Sequence, residues 1–343
     1  MLEPPNLSAD QINTRVEQAY GLRISRLAFL PLGADRNTAV YRASVGAADY
    51  FLKLRLGDFA EISAAVPYFL RQQGLTAVLA PLAMQGGRLW SELGDYRMIL
   101  YPYVPGEDGY QRSLTDEQWW EFGATLGAVH ATCLPARLQD QIPGETFSAE
   151  WRQRVQEFQR QAETKTFADP LAAGLAEFLR AKRSLIDTLV RRAGELSGYV
   201  QAGLQAPVLC HGDVHPGNLL ISGAGRADLL LVDWDNPLYA QRERDLALIG
   251  GTYVWRQAEA VAEFFAGYYE EARKWGDGRV AVDPLAISYY RYERILTEIA
   301  LFCEDVFSSS TDSQDRAQSF AYLTGAFREE HEVELARRGD STL

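Results

Sequence analysis

Cysteine and histidine are both scarce in this chain. Its 343 residues include an odd, scattered set of three cysteines, which predicts neither a disulfide framework nor a paired zinc motif: Cys133, Cys210 and Cys303. The histidines number four: His130, His211, His215 and His331. A metal centre built from thiolate or imidazole ligands therefore has few residues available, and the thiol usage favours a reducing, cytoplasmic location.

Long apolar runs and export signals are also absent. No window approaches the roughly 18 uncharged apolar residues of a membrane-spanning helix. Residues 1–10 hold no basic segment followed by an apolar one, as a secretory signal would. We therefore expect a protein that is neither exported nor embedded in a membrane.

Basic residues are outnumbered by acidic ones. Lysine and arginine total 34 against 46 aspartates and glutamates, which gives a formal net charge of −12. Such a chain repels the phosphates of nucleic acid and favours a small polar, cationic substrate. The length and the 47% hydrophobic content suffice for one elaborate domain or two unequal lobes, and they leave the oligomeric state open.

The first hundred residues are predicted to form a small β-rich lobe. A capping box at 8–11 begins a short amphipathic helix, and a second helix is expected at about 59–73. Short β-rich runs separated by turn residues predict an antiparallel meander. The predicted strands are 27–32, 38–45, 50–54, 87–91 and 96–101.

Beyond a proline-broken segment the pattern is mainly helical. The predicted helices are 115–129, 148–162, 167–197, 256–275, 284–307 and 315–337, and a β-rich island lies among them at 207–233. We therefore predict an α+β fold with two lobes. The β-rich N-lobe spans 1–101, the hinge spans 102–106, and the mainly helical C-lobe spans 107–343.

Two motifs in and after the β-rich island combine the residue types that phosphoryl transfer needs. The first runs from Cys210 to Asn218 and contains Asp213, and the second is Asp233-Trp234-Asp235. A loop carboxylate can accept the proton of an attacking hydroxyl, while an amide oxygen and another carboxylate can bind Mg²⁺. We therefore predict Asp213 as the catalytic base and Asn218 and Asp233 as metal ligands, although each alone would also suit an ordinary turn.

The histidines beside Asp213 allow a second interpretation. His211, Asp213 and His215 alternate in a way that could bind zinc in a hydrolase. Such a centre would need further ligands, and neither of the two remaining histidines lies in a ligand-like motif. Hydrogen bonds that hold the loop are the role that we favour for His211 and His215.

A lysine inside an apolar strand is the main candidate for nucleotide binding. Lys53 lies in Phe51-Leu52-Lys53-Leu54, where an ammonium group is costly without an anionic partner such as ATP phosphates. Glu61 could hold it by an ion pair, and the alternative is a lysine on the wet face of an edge strand. The turn at 33–37 could cover the phosphates or be a plain hairpin, and its candidate residues are Gly33, Asp35 and Asn37.

Two further segments suggest contacts to the base and to the substrate. An adenine ring could stack in the apolar, aromatic segment 98–104, through Leu100, Tyr101 and Tyr103. Asp235 shares a strand face with Asp233 and could serve metal, substrate or loop geometry. With acidic and aromatic residues of a late helix it could bind a cationic sugar or aminocyclitol, although solvated faces explain such residues as well. The candidates on that helix are Tyr290, Glu298 and Asp305.

These residues resemble the motifs of the aminoglycoside phosphotransferase and choline kinase superfamily, which has the protein-kinase fold. The strongest marks are His211-Gly212-Asp213-Val214-His215-Pro216-Gly217-Asn218 and Val232-Asp233-Trp234-Asp235. The segments 33–37, 51–54, 243–246 and 288–295 look most like the spectinomycin phosphotransferase branch. The resemblance spans nearly the whole chain.

The resemblance implies a role for each matching residue. It makes Asp213 the base, Asn218 and Asp233 the Mg²⁺ ligands, Lys53 the ATP contact, Glu61 the partner of Lys53, and Leu100 to Tyr103 the adenine slot. We therefore expect an ATP-dependent transfer of phosphate to a hydroxyl of an aminocyclitol or aminoglycoside antibiotic, with spectinomycin first. The rivals are a metabolic kinase for choline, homoserine or a methylthio-sugar, and a nucleotide-binding pseudokinase.

Overall fold

The structure, a computed structural model, describes residues 4–32, 37–274, 281–308 and 313–341. The helices of this part of the chain are α1 (Ala9–Tyr20), α2 (Ile62–Gln72), α3 (Asp116–Ala131), α4 (Ala136–Gln139), α5 (Glu150–Thr164), α6 (Pro170–Ala202), α7 (Glu243–Leu246), α8 (Ala258–Lys274), α9 (Pro284–Phe307), α10 (Ser313–Ala326) and α11 (Glu332–Ser341). Its strands are β1 (Arg26–Leu30), β2 (Thr38–Val45), β3 (Ala48–Leu56), β4 (Ser91–Leu93), β5 (Tyr96–Pro102), β6 (Glu107–Asp108), β7 (Val208–Cys210), β8 (Leu219–Ile221), β9 (Leu229–Leu231) and β10 (Leu238–Ala240). Gly33 and Asp35, two of the predicted phosphate-loop residues, lie outside the described residues.

Contacts divide the chain into two compact units. The first comprises Met1–Pro143, His211–Leu238 and Glu263–Gly276, and the second comprises Gly144–Cys210, Tyr239–Ala262 and Asp277–Leu343. This division does not follow the predicted boundary at 102–106. Residues 107–143 and the motif segment 211–238 belong to the same compact unit as the N-terminal sheet.

The sheet of the first unit is antiparallel throughout, with the strand order β1-β2-β3-β5-β4. Successive side chains of a strand point to opposite faces. On one face, Leu52, Leu54 and Leu100 form a core with Ile12 and Val16 of α1. The opposite face of β3 therefore presents the odd-numbered residues, among them Lys53.

Capping boxes begin two helices of the first unit, as the sequence indicates for α1. The side chain of Ser8 accepts a hydrogen bond from the backbone of Gln11, and Thr115 does the same with Gln118 at the start of α3. These polar side chains satisfy backbone N–H groups that a helix start leaves without partners. The local sequence thus sets both N-termini.

Helix α3 lies unusually close to the part of α8 that belongs to the same unit. A Cβ atom on Gly123 would stand 1.9 Å from the carbonyl oxygen of Phe264, and one on Gly267 would stand 2.0 Å from that of Trp120. Any side chain would therefore push the two backbones apart. Glycine at both positions permits the approach.

A small second sheet carries the predicted catalytic motifs. Its strand order is β6-β8-β9, and β9 is tied by its backbone to the segment that follows α2. The N–H of Leu231 donates to the carbonyl of Ala77 at 2.7 Å, and the N–H of Leu79 donates to the carbonyl of Leu231 at 3.1 Å. Asp233, two residues later, is thereby set at the end of a fixed strand.

Helices make up most of the second unit. Apolar residues of α5, α6, α9, α10 and α11 form its core. The helix predicted over 315–337 is two helices, α10 and α11. The backbone breaks between them, where Glu330 adopts a left-handed φ of 59°. Within the described residues, no helix is both long and apolar enough to cross a membrane.

Candidate phosphoryl-transfer site

His211 joins the two predicted motifs of the first unit. Its Nε2 lies 3.0 Å from the carbonyl oxygen of Val232, and its Nδ1 accepts a hydrogen bond from the N–H of Asp213 at 3.3 Å. Since a carbonyl only accepts, Nε2 carries the proton and donates. The buried ring also packs edge-on against Trp234, at 4.6 Å between centroids. Both nitrogens therefore serve the loop, which disfavours the zinc interpretation.

Gly212 lets the chain turn directly before Asp213. Its φ is 87°, and a Cβ atom there would stand 2.2 Å from the carbonyl oxygen of Asn236. A side chain would meet both a backbone clash and a left-handed conformation that L-residues avoid. The glycine of the motif is therefore required by geometry.

Asn218 folds back on Asp213. Its Nδ2 donates to the backbone carbonyl of Asp213 at 2.8 Å and lies 3.5 Å from the carboxylate Oδ2. His215 is held nearby, because its Nδ1 accepts from the N–H of Gly217 at 3.1 Å while its Nε2 lies 3.6 Å from that same Oδ2. With the amide nitrogen turned toward Asp213, the carbonyl oxygen of Asn218 is the atom suited to a hard cation.

Lys53 meets both carboxylates of the second motif. Its Nζ lies 3.0 Å from Oδ1 of Asp233, and 2.9 and 2.8 Å from the two carboxylate oxygens of Asp235. Burial alone would lower the pKa of Lys53, but the two carboxylates raise it above its ordinary value of 10.5. The ammonium is therefore charged, and its charge is balanced locally.

Asp233 has a left-handed backbone, with a φ of 61°. Aspartate and asparagine tolerate this conformation better than most L-residues, whereas a β-branched residue does not. Strained conformations of this kind cluster at functional sites. About half of the Asp233 side chain is exposed, so its carboxylate remains accessible.

Arg55 is a site residue that the sequence analysis missed. Its Nη1 donates to Oδ2 of Asp235, so that this carboxylate contacts two cations. Arg55 stands two residues after Lys53 on β3 and therefore shares its face of the sheet. That spacing is the signal that could have identified it.

Glu61 contacts a different partner from the one expected. Its carboxylate accepts a hydrogen bond from Nε1 of Trp90 at 3.0 Å, at the exposed start of α2. An ammonium group has three donors, and those of Lys53 are directed at Asp233 and Asp235. The expected ion pair with Glu61 is thus absent from the contacts of the described residues.

The proposed adenine-slot residues occupy different environments. The side chain of Leu100 belongs to the core against α1, and its carbonyl accepts from the N–H of Leu82 at 2.8 Å. Tyr101 faces the opposite way, on the Lys53 side of the sheet. Tyr103 lies under the guanidinium of Arg42, which is 4.6 Å from its ring centroid.

Asn37, the described member of the predicted phosphate turn, is exposed next to β2. Its carbonyl accepts from the N–H of Leu56 at 2.7 Å and so closes the end of the β2–β3 pair. The structure therefore describes a backbone role in the sheet for this residue.

The predicted substrate residues of α9 bind neighbours within the second unit. Tyr290 donates to Glu145, Glu298 accepts from Nε of Arg294 at 2.7 Å, and Asp305 accepts from Oγ of Ser319 at 2.9 Å. Burial, followed by the nearby Glu145 carboxylate, raises the pKa of the Tyr290 phenol well above its ordinary range. The fourth candidate, Asp235, belongs to the first unit, with Lys53.

Glu145 is a further residue that sequence reasoning missed. Its largely buried carboxylate also binds Nη1 of Arg244 at 2.7 Å, in the Glu243-Arg244-Asp245-Leu246 segment. No local sequence pattern predicts a role for this glutamate, because its partners lie about a hundred residues or more away in the chain. It explains why a buried tyrosine and an arginine can stand side by side.

The donor set of the first unit suits a hard divalent cation. An amide oxygen and carboxylate oxygens are ligands that Mg²⁺ accepts, and a buried lysine beside them suits phosphate. A kinase-like two-lobed fold with these groups defines a small-molecule phosphotransferase. The chain belongs to the phosphotransferase enzyme family APH, whose model matches residues 28–281.

Solved structures of other proteins share the fold along nearly the whole chain. Spectinomycin phosphotransferase APH(9)-Ia, in complex with ADP and spectinomycin, is 31% identical and has a TM-score of 0.89, with 98% of this chain and 99% of that chain covered. Amicoumacin kinase hAmiN, in complex with AMP-PNP, Ca²⁺ and Ami, is 15% identical with a TM-score of 0.60, covering 97% and 94%. At that identity the second likeness concerns the fold alone.

A similar curated protein is StrN of Streptomyces griseus. It is 28% identical over 188 residues, which make up 54% of this chain and 58% of StrN. The match thus spans a little over half of that relative's length.

Proposed function

We propose that this protein transfers the γ-phosphate of ATP to a hydroxyl group of a small cationic acceptor, with spectinomycin or a related aminocyclitol first. The observation that supports it best is the cluster of Lys53, Asp233 and Asp235 within the same compact unit as the Asp213–Asn218 loop. Phosphoryl transfer uses three kinds of group: a cation that binds phosphate, oxygen atoms that can bind a metal ion, and a carboxylate in a loop.

Asp213 accepts the proton of the attacking hydroxyl and orients its oxygen. Its side chain is 28% exposed and is held at its backbone by Asn218, so it is both accessible and positioned. Lys53 binds the nucleotide phosphates. Asn218 and Asp233 hold Mg²⁺, which when bound neutralises charge on the β- and γ-phosphates.

We choose the acceptor from the similarity of this chain to a solved structure and from the net charge of the chain. The structure of APH(9)-Ia that contains ADP and spectinomycin is 31% identical to this chain and covers 98% of it. A net charge of −12 favours a cationic acceptor over an anionic one. Phosphorylation would add about two negative charges to the product, which would alter recognition of an antibiotic by its target.

The test is an assay of nucleoside-diphosphate release, ADP from ATP or GDP from GTP, with a panel of acceptors. The panel holds spectinomycin, aminoglycosides, choline, homoserine and a methylthio-sugar. We expect ATP-dependent release with spectinomycin and a product heavier by one phosphate in mass spectrometry. Turnover confined to a metabolic alcohol would replace the antibiotic assignment, and absence of turnover with every acceptor would favour a pseudokinase.

Two matched variants test the base. Asp213→Asn should lower kcat by about 10²–10⁴-fold while nucleotide binding persists, because only the proton acceptor is lost. Asp95→Asn changes an exposed aspartate in the β4–β5 turn and should leave kcat unaltered. Substantial turnover by Asp213→Asn would remove Asp213 from this role.

A further inference from the structure

Asp235 is partnered more heavily than its neighbour Asp233. Both of its oxygens contact Nζ of Lys53, at 2.9 and 2.8 Å, and one of them also accepts from Nη1 of Arg55. The Asp235 side chain is 18% exposed, whereas that of Asp233 is 48% exposed. Asp235 is therefore the carboxylate that depends more on cationic partners.

These contacts conflict with the nucleotide role of Lys53. An ammonium group has three donors, and the three short contacts of Lys53 all go to carboxylate oxygens. A nucleotide phosphate can bind Nζ only if at least one of these contacts is exchanged. If Lys53 leaves Asp235, the largely buried Asp235 carboxylate loses a cationic partner. That loss is costly in free energy unless another cation remains beside it.

We infer that Arg55 is a positioning residue that retains Asp235 when Lys53 turns to the nucleotide phosphates, an inference that rests on the proposed function. Arg55 acts through Asp235, whose carboxylate it keeps from competing for Lys53. The two cations and the two carboxylates of the cluster balance in charge before the exchange. The incoming phosphate then takes the place of one carboxylate at Lys53.

The surroundings of Arg55 suit this role. Its Nε donates to the carbonyl of Asp58 at 3.3 Å, which anchors the guanidinium at one edge. A cavity of about 460 Å³ adjoins the pair and gives the side chains room to shift; it is lined by Arg55, Asp58, Phe59, Ala60, Ser63 and Asp235. A planar guanidinium has parallel N–H donors that match the two oxygens of a carboxylate, whereas an ammonium group acts as a point charge.

The chain offers a control directly across the sheet. Arg97 is the register partner of Arg55 on β5, and antiparallel partners share a face. Its guanidinium lies 3.9 Å from Glu92, whose side chain is 65% exposed, and 5.6 Å from the ring of Trp90. Arg97→Gln therefore makes the same chemical change without touching Asp235.

The experiment measures ADP binding by calorimetry in EDTA, so that metal ligation by Asp235 does not enter. Arg55→Gln should raise the Kd about tenfold, because Asp235 then stays on Lys53, and Arg97→Gln should change it less than about twofold. Arg55→Lys should fall between Arg55→Gln and the unaltered protein. Under turnover conditions, Arg55→Gln should raise the KM for ATP while kcat changes less than about threefold.

Asp235→Asn distinguishes exchange from direct contact. With the competing charge removed, it should tighten metal-free ADP binding by itself and restore binding when combined with Arg55→Gln. Weak binding that Asp235→Asn does not restore would mean that Arg55 contacts the nucleotide itself, and would overturn the inference. An unaltered Kd in Arg55→Gln would overturn it as well.

Separate measurements test whether the variants fold and whether the proposed function is correct. Circular dichroism and melting temperatures show whether each variant folds, and if Arg55→Gln does not, the Kd of Arg55→Lys takes its place in the comparison with Arg97→Gln. Nucleotide binding without phosphorylation of any acceptor would sink the proposed function and leave the exchange testable. No nucleotide binding by the unaltered protein would overturn both.

Discussion

Asp233 combines a charge that the site needs with a backbone conformation that few residues accept. Its φ of 61° is left-handed, and its carboxylate contacts Lys53 at 3.0 Å. The two properties can be separated by mutation, because asparagine shares the tolerance for this backbone and lacks the charge. In the proposed function the charge serves the reaction, whereas the conformation bears on stability.

We expect Asp233→Asn to fold normally and to lose activity. Its melting temperature should stay within a few degrees of the unaltered protein, while kcat falls by about 10²-fold or more because an anionic ligand is lost. Asp233→Val should also lower the free energy of unfolding by about 1–2 kcal/mol, since a β-branched side chain strains a left-handed backbone. Calorimetric melting and the ADP-release assay measure the two effects. Equal melting of the Asn and Val variants would contradict the argument from strain.

The sequence predicts residues whose spacing encodes their roles, and misses those whose partners are distant. His211, Asp213 and Asn218 lie within eight residues, so that local geometry joins them. Lys53 is conspicuous because a buried ammonium in a strand requires an anion. Glu145 has neither signal, because its partners Arg244 and Tyr290 lie far away in the chain and no neighbouring residue indicates them.

Helices α3 and α8 approach through glycines, so that one backbone packs against the other. At Gly123 and Gly267 the nearest atom to an added Cβ would be a carbonyl oxygen, which cannot rotate away as a side chain can. In a helix interior alanine is normally more favourable than glycine, but at these two positions we expect glycine to be the more favourable residue.

Gly123→Ala and Gly267→Ala should each destabilise the protein by about 3 kcal/mol, because the helices must separate. Gly194→Ala, in the exposed part of α6 with no atom within 4 Å of the new Cβ, should stabilise it by about 0.5–1 kcal/mol. Urea unfolding measures all three changes. Destabilisation by Gly194→Ala of the same size would mean that packing is not the cause.

An ion pair ties α11 to α6 in the second unit. Nε and Nη2 of Arg192 each lie 2.7 Å from an oxygen of Asp340, a bidentate geometry. The Arg192 hydrogen bonds hold the pKa of Asp340 below its ordinary value of 3.8. The folded pKa is below the unfolded one, so the pair stabilises the fold fully above pH 3.8, and this contribution is lost as pH falls through the folded pKa.

Asp340→Asn should therefore lower the free energy of unfolding by about 1 kcal/mol at pH 7, and by less as the pH falls below 3.8 and through the folded pKa. Asp187→Asn on α6 is the control. Asp187 lies 3.5 Å from Arg183, both side chains are about half exposed, and its effect should be below about 0.5 kcal/mol. A pH-independent loss in Asp340→Asn would point to packing instead.

Element boundaries follow the sequence best where a side chain sets them. Ser8 and Thr115 begin α1 and α3 as capping residues, and the antiparallel meander is confirmed by its register. The break between α10 and α11 was missed because a single glycine near a helix end, here Gly325, is a weak signal, and residues 327–331 hold neither glycine nor proline. The backbone turns at Glu330.

For the whole molecule, the excess of acidic residues has a kinetic consequence. A net charge of −12 would attract the proposed cationic acceptor. Salt would weaken this attraction, because the Debye length is only about 10 Å at 0.1 M. The same negative charge would repel ATP, which is an anion. The effect of salt on acceptor binding can therefore be measured alone only when ATP is saturating. Charge of this kind acts on association more than on the chemical step.

At saturating ATP, kcat/KM for the cationic acceptor should fall about threefold or more between about 20 mM and 300 mM salt. An N-acetylated form of the same acceptor keeps its hydroxyl groups and loses positive charge, so it should show less salt dependence. Initial rates at a fixed magnesium concentration give both values. Equal slopes for the two acceptors would contradict electrostatic attraction.

The division of the chain into units also bears on how the protein is made. The first unit draws on Met1–Pro143, His211–Leu238 and Glu263–Gly276, so its last segment leaves the ribosome long after its first. Ala77 lacks its pairing with Leu231 until the middle segment has been made, and Gly123 lacks the backbone of Phe264 until the last segment has been made. The candidate site is consequently completed late in synthesis. Contacts so distant in the chain predict slow folding, during which apolar surface stays exposed.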